Sequence, residues 1–222
     1  MIVLENLTKR FVQRGQRRTV LDRVSAVFPS GRSVALLGRN GAGKSTLMRI
    51  IAGTMDPTEG QVWSTGTVSW PVGFAGSFHP DLTGASNIRF LARIYGTDAD
   101  DLVRFVEDFA QLGQSYHQTF GNYSSGMKSR LAFGASMGID FDTYLVDEVT
   151  SVGDAAFRAR STELFRHRIQ TAGAVVVSHS MPQLRAMCDC GAVLERGRLT
   201  WYDDIEAAIA HHEANMAQLA PG

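Results

Sequence analysis

Cysteine is nearly absent: Cys188 and Cys190 are the only two in 222 residues, and they stand in one Cys-Asp-Cys sequence. Two thiols without a second cluster provide neither a disulfide framework nor a zinc ligand set; they fit a reducing cytosol as small buried residues. No apolar run approaches the roughly 20 residues that span a bilayer, and the N-terminus lacks the pattern of a secretory signal. A role at a membrane must therefore come through a partner. There is no excess of charge either: 22 basic and 22 acidic residues cancel, which argues against a nucleic-acid binder, where a basic stripe is the usual footprint. Internal repeats and low-complexity tracts are missing, and no glutamine occurs between Gln61 and Gln111.

What is present is an ordinary globular composition, 44% hydrophobic and 20% charged, with a length that suits one domain or a core with one inserted subdomain. One stretch organises it: Gly38-Arg39-Asn40-Gly41-Ala42-Gly43-Lys44-Ser45-Thr46. The apolar run Val34–Leu37 before it reads as a buried strand, and Leu47–Ile51 after it as a helix that stops by Gly53. Strand, glycine-rich turn, then Lys-Ser opening a helix is the arrangement that cradles phosphate. The glycines let backbone N–H groups turn inward at the positive end of the helix. Lys44 can reach the β- and γ-phosphates, and the Ser45 hydroxyl is placed to ligate Mg²⁺. The chain is expected to bind a nucleoside triphosphate.

Residues 2–28 alternate as antiparallel strands, with the basic run Gln13–Arg18 between them expected to be a solvated loop. Phe11, at a strand end, fits either a packed core aromatic or a face that stacks on a purine. Turn residues at 56–60 separate the P-loop helix from short strands near 61–63 and 67–70. Helical spacing then covers 87–95 and Leu102, Phe105, Val106, Phe109 and Leu112, with Thr97 or Asp98 as cap and Gly113 as stop. Roughly 74–130 is thus expected to be a helical insertion in an α/β core formed by about 1–73 and 131–222. His79 and His117 are isolated and read as structural.

Tyr123-Ser124-Ser125-Gly126-Met127 places two serines and a glycine at the start of a helix, which is either a common loop or a second anion site. Thr143–Val146 reads as a strand that ends in Asp147 and Glu148. An acid at such a strand end can hold Mg²⁺, and a second beside it can orient an attacking water; the bland alternative is a pair of surface acids. Ser151–Asp154 follows, and the strand Ala174–Val177 ends in Ser178-His179-Ser180, at the edge where ligands of such sheets collect.

In that order and spacing the chain resembles the ATP-binding subunit of ABC transporters over nearly its whole length. Gly38 to Thr46 matches Walker A and Tyr144 to Asp147 the Walker B strand. Glu148 falls on the catalytic glutamate, Ser151 to Asp154 on the D-loop, His179 on the switch histidine and Phe11 on the adenine-stacking aromatic. Tyr123 to Met127 stands where the family has Leu-Ser-Gly-Gly-Gln, keeping Ser124 and Gly126. The Q-loop glutamine is missing, and Phe74 stands about where it belongs. Ser69-Trp70-Pro71-Val72, Phe78–Gly84, Asn87–Phe90 and the Tyr-Ser-Ser-Gly-Met sequence look like the ATPases of bacterial capsular-polysaccharide export. The O-antigen and teichoic-acid export subunits, which share the missing glutamine, are the alternative; a soluble or regulatory ABC ATPase is more remote.

The resemblance implies two copies set head to tail, with ATP and Mg²⁺ between them. Gly38, Arg39, Asn40, Gly41, Ala42, Gly43, Lys44, Ser45, Thr46 and Phe11 of one copy hold ATP. Ser124, Ser125, Gly126 and Asp154 of the other touch it in trans. Ser45 and Asp147 serve the metal, and Glu148, His179 and Lys44 serve hydrolysis. It also implies a transmembrane permease partner docked near 74–84, peripheral residence on the cytoplasmic face of the bacterial inner membrane, and no partner nucleic acid.

Overall fold

The computed structural model describes residues 1–13, 15–147 and 154–218. These fall into two compact units. One comprises Met1–Pro71, 141–147 and 169–218; the other comprises Val72–Asp140 and 154–168.

The first unit holds two sheets. Strands β1 (Ile2–Gln13), β2 (Gln16–Phe28) and β4 (Glu59–Ser64) form an antiparallel sheet in the order β2-β1-β4. In the basic run between β1 and β2, residues 15–18 are solvent-exposed, as its charge suggests, but Gln16 to Arg18 are strand and not loop. β2 begins at Gln16, and the register pairs Phe11 with Arg18 and Gln13 with Gln16. Cross-strand pairing with β1 outweighs the preference of exposed arginines for a loop, because the ladder satisfies backbone groups of Gln16 to Arg18. The second sheet has the order β5-β6-β7-β3-β8-β9, built from β3 (Ser33–Leu37), β5 (Val68–Pro71), β6 (Thr143–Asp147), β7 (Gly173–Val177), β8 (Cys190–Glu195) and β9 (Arg198–Tyr202). It is parallel apart from the β8–β9 pair. β3 and β7 are buried at every position, as the unbroken apolar runs of central parallel strands require.

Helix α1 (Lys44–Ile51) follows β3 and contributes Leu47, Met48, Ile50 and Ile51 to one apolar cluster. That cluster also draws Leu4, Leu21 and Phe28 from the antiparallel sheet and Val34, Leu36 and Val175 from the parallel one. Each large side chain fully buried there contributes about 1.5–3 kcal/mol. Helices α6 (Met181–Met187) and α7 (Ile205–Ala217) complete the unit.

The second unit is helical: α2 (Gly84–Tyr95), α3 (Ala99–Ala110), α4 (Ser125–Gly138) and α5 (Ala155–Ile169, whose last residue belongs to the first unit). Asp98 caps α3, accepting from the amides of Asp100 and Asp101, and the helix closes on Gln111 in the left-handed region at φ 50. Its core is aromatic. Phe109 stacks with Phe105 and Phe133 and meets Phe157 edge-on, pairs worth about 0.5–1.5 kcal/mol each beyond their burial.

Candidate nucleotide-binding site

The loop between β3 and α1 is shaped by two close approaches. Gly43 is the N-cap of α1 at φ 110, and a Cβ on it would lie 2.6 Å from Val20 Cγ1. At Gly38 a Cβ would lie 2.4 Å from the Leu194 carbonyl. Only glycine fits either place. The N-cap Gly43 has no side chain with which to cap α1, which suits a helix start that meets an anion. Lys44 arcs back over the loop and donates to the carbonyls of Gly38 at 2.6 Å and Arg39 at 3.1 Å, which holds the ammonium over the cradle. Its charge is felt at α7: His212 titrates below the ordinary histidine range, first because it is buried and next because of Lys44.

At the end of β6, Asp147 Oδ2 accepts a hydrogen bond from the Ser45 hydroxyl at 3.3 Å. A hydroxyl and a carboxylate side by side are the hard oxygen donors that Mg²⁺ takes together with substrate phosphates. Among the described residues there is no cluster of three or more His, Cys, Asp or Glu side chains able to hold a metal. The donor set fits a Mg²⁺ that arrives with a triphosphate.

A cavity of about 660 Å³ gathers these groups: Phe11, Asn40, Gly41, Gly43, Lys44, Ser45, Thr46, Asp147 and His179 all line it. Phe11 is 37% exposed, which favours the stacking alternative over a packed core aromatic. Lys9 lies over its ring at 5.3 Å while donating to the Asp56 carbonyl at 2.7 Å. Arg39 and Ala42 turn away to a neighbouring cavity. The sequence reading missed Val12, Arg18, Val20 and Val177 in this lining. Arg18 enters the lining through strand register, because a hairpin turning at Gly15 sets it directly opposite Phe11, and a run of charges gives no sign of that.

In the helical unit, Ser124 caps α4, its hydroxyl accepting from the Met127 amide at 3.2 Å. Ser125 and Gly126 are exposed beside it, and a Cβ on Gly126 would meet nothing closer than Ser124 Oγ at 4.0 Å. Asp154 caps α5 through the Phe157 amide at 2.9 Å and pairs with Arg130 of α4 at 2.6 Å. Its carboxyl is held below the usual range, chiefly by the Phe157 amide. Glu148 and the D-loop residues Ser151–Gly153 lie outside the described residues. Phe74, where the missing glutamine would stand, is 47% exposed. Cys188 and Cys190 are free and buried, as their spacing suggested. No helix among the described residues is long and apolar enough to cross a membrane.

Comparison with known proteins agrees with this geometry. A family model described as ABC transporter matches residues 21–151. A polysialic acid transport ATP-binding protein of Escherichia coli, KpsT, is 43% identical over 96% of this chain and 96% of its own length. The capsule polysaccharide export ATP-binding protein CtrD of Neisseria meningitidis serogroup B is 42% identical over 96% of this chain and 99% of its own. Among solved structures, the dimeric post-hydrolysis form of the ATP-binding cassette MJ0796, bound to ADP and Pi, superposes with a TM-score of 0.76 at 21% identity, over 92% of this chain and 99% of that one.

Proposed function

Because this chain belongs to the ABC transporter family, we propose that it is the ATP-hydrolysing subunit of a bacterial exporter of capsular or related cell-surface polysaccharide. It works as a head-to-tail pair with a separate transmembrane subunit, at the cytoplasmic face of the inner membrane. The observation that carries the enzymatic reading is the single cavity lined by Phe11, Lys44, Ser45, Asp147 and His179. The choice of cargo rests on the near full-length similarity to two export subunits named for polysialic acid and capsule polysaccharide.

The residues divide the work by chemistry. Phe11 offers a face for the base. The amides of Gly41 to Thr46 and the Lys44 ammonium bind the phosphates, and Ser45 and Asp147 supply oxygens to Mg²⁺. Mg²⁺, when bound, offsets charge on the transferring phosphoryl group. Glu148 polarises the attacking water and His179 contacts the γ-phosphate. One cradle leaves much of a triphosphate's charge open, so Ser124, Ser125, Gly126 and Asp154 of the second copy close the site from the other side. ATP then holds the pair together and hydrolysis releases it.

The test is purification from membranes with the neighbouring transmembrane subunit, with ATPase measured on the complex and on Lys44→Ala. Turnover above that of the isolated subunit and reduced at least about 100-fold by Lys44→Ala, the scale of a lost phosphate clamp, supports the transport motor. A chain that binds ATP but recovers no membrane subunit overturns it.

A further inference from the structure

Beside the nucleotide cavity lies a second one of about 300 Å³, walled by β2 around Arg18, by the P-loop from Arg39 to Ala42, and by the turn that joins β8 to β9 at Arg196. Its walls are fixed to one another. The close contact of Gly38 with the Leu194 carbonyl sets the P-loop against the end of β8. The Asp22 amide donates to the Gly197 carbonyl at 2.8 Å, tying β2 to the turn. Arg196 itself is held in the left-handed region at φ 47. Such a cavity is preformed rather than a gap between mobile loops.

Its charge is unbalanced. Among the described residues Arg18, Arg39 and Arg196 form no ion pair, whereas Arg10, Arg89, Arg130 and Arg185 each face a carboxylate. The acid in the wall, Glu195, accepts from the Asn215 side-chain amide at 2.7 Å and keeps its own charge, so three arginines share the wall with one carboxylate. Arg18, Arg39 and Arg196 are all exposed to solvent, and the excess of positive charge over the one carboxylate favours an anion there. The planar donor forks of arginine match phosphate oxygens two at a time. The volume is at the small end for ligand sites, which suits a phosphate group rather than a whole nucleotide.

We propose that this cavity is a second phosphate-binding site, held by Arg18, Arg39 and Arg196 and felt at the P-loop through Asn40 and Gly41, which line both cavities. The phosphate is either the inorganic ion released next door or the end of a free polyphosphate chain. The site itself rests on the two cavities alone, while the first of these sources rests on the hydrolysis proposed above.

The test loads the protein with Mg²⁺ and a non-hydrolysable ATP analogue, then titrates inorganic phosphate and, separately, tripolyphosphate by calorimetry. The expected result is saturable binding of one anion per chain that weakens with salt and falls about tenfold or more in Arg196→Asn, with partial recovery in Arg196→Lys. Asparagine tolerates the left-handed turn, and Arg196 does not line the nucleotide cavity, so the affinity for the analogue stays the same. Saturation by inorganic phosphate identifies the released ion as the source; saturation by tripolyphosphate alone identifies a longer chain. A Lys44→Ala protein without nucleotide must still bind the anion, even if nucleotide binding is lost. Absence of saturable binding, equal binding by Arg196→Asn, or loss of the anion in Lys44→Ala overturns the proposal.

Discussion

Helices α1 and α4 each begin at a turn rich in glycine or serine, but their first turns are finished differently. α1 starts from Gly43 in the left-handed region, an N-cap without a side chain, while α4 starts from Ser124, whose hydroxyl satisfies the Met127 amide. The glycines also differ. Gly43 is demanded by the fold, because a Cβ there would strike Val20. Gly126 is not, because the space around it is open. A glycine that its own chain does not require, at a helix start, costs helix stability without any return inside the fold. Open space at such a glycine leaves room for the close approach of something outside the chain. The trans contact with a second copy's ATP, proposed above, would be such an approach, and in that reading the second helix serves as the surface complementary to the first.

Substituting the two glycines by alanine breaks the comparison most strongly. Gly43→Ala forces alanine to a positive φ, which costs at least about 1–2 kcal/mol, and pushes Val20 away from the loop. The expected outcome is a lowered melting temperature and nucleotide affinity reduced at least about 100-fold in a calorimetric titration, because several amide donors are turned out of line together. Gly126→Ala should leave binding by the isolated chain unchanged and raise stability by up to about 1 kcal/mol. Turnover of the assembled pair should fall about tenfold or more, as a methyl group intrudes where phosphate must approach. Wild-type turnover in Gly126→Ala would remove that residue from the nucleotide contact.

Much of this was legible in the sequence because local chemistry dictated it. The P-loop announces itself by glycine spacing between a buried strand and a helix, and Asp147 by its place at the end of Thr143–Val146. Ser124 reads in the sequence as part of a loop or an anion site, and its role as the cap of α4 shows only in the structure, where its hydroxyl accepts from the Met127 amide. What was not legible depends on long-range register. The pairing of Arg18 with Phe11 arises from a hairpin that converts a basic run into strand, and a run of charges gives no local hint of that. The contact of Gly38 with Leu194 joins residues far apart in the chain. The start of α2 at Gly84 rather than near Asn87 follows from the Thr83 cap, which accepts from the Ser86 amide. Periodicity alone sees apolar positions and not the turn that precedes them.

A smaller effect separates the two duties of Ser124. Ser124→Ala removes the cap of α4 and should cost about 1 kcal/mol, seen as a modest fall in melting temperature. Ser124→Asp keeps a capping oxygen and so keeps the stability. It also places a negative charge where the γ-phosphate of the second copy's ATP is proposed to lie, so turnover should drop further than in Ser124→Ala. If the aspartate variant matches wild type in both assays, the hydroxyl acts on its own helix alone.

The smallest effect sharpens the comparison by pH. The cap of α4 is a neutral hydroxyl, whereas the cap of α5 is the ionised Asp154, held below the usual carboxylate range first by the Phe157 amide and further by Arg130. A carboxyl whose folded value is depressed adds stability that is present above its unfolded value. That stability is lost as pH falls through the lower folded value. Asp154→Asn retains an oxygen for the Phe157 amide but carries no charge, so it should melt slightly below wild type near neutrality. The gap should close as the solution is acidified past about pH 4, the ordinary range of aspartate. The deficit of Ser124→Ala should stay level over the same interval, because no proton is exchanged at that cap. Thermal melts of the three proteins across that range decide the point. A gap for Asp154→Asn that does not change with pH would show that Arg130 and the α5 cap gain nothing from the charge.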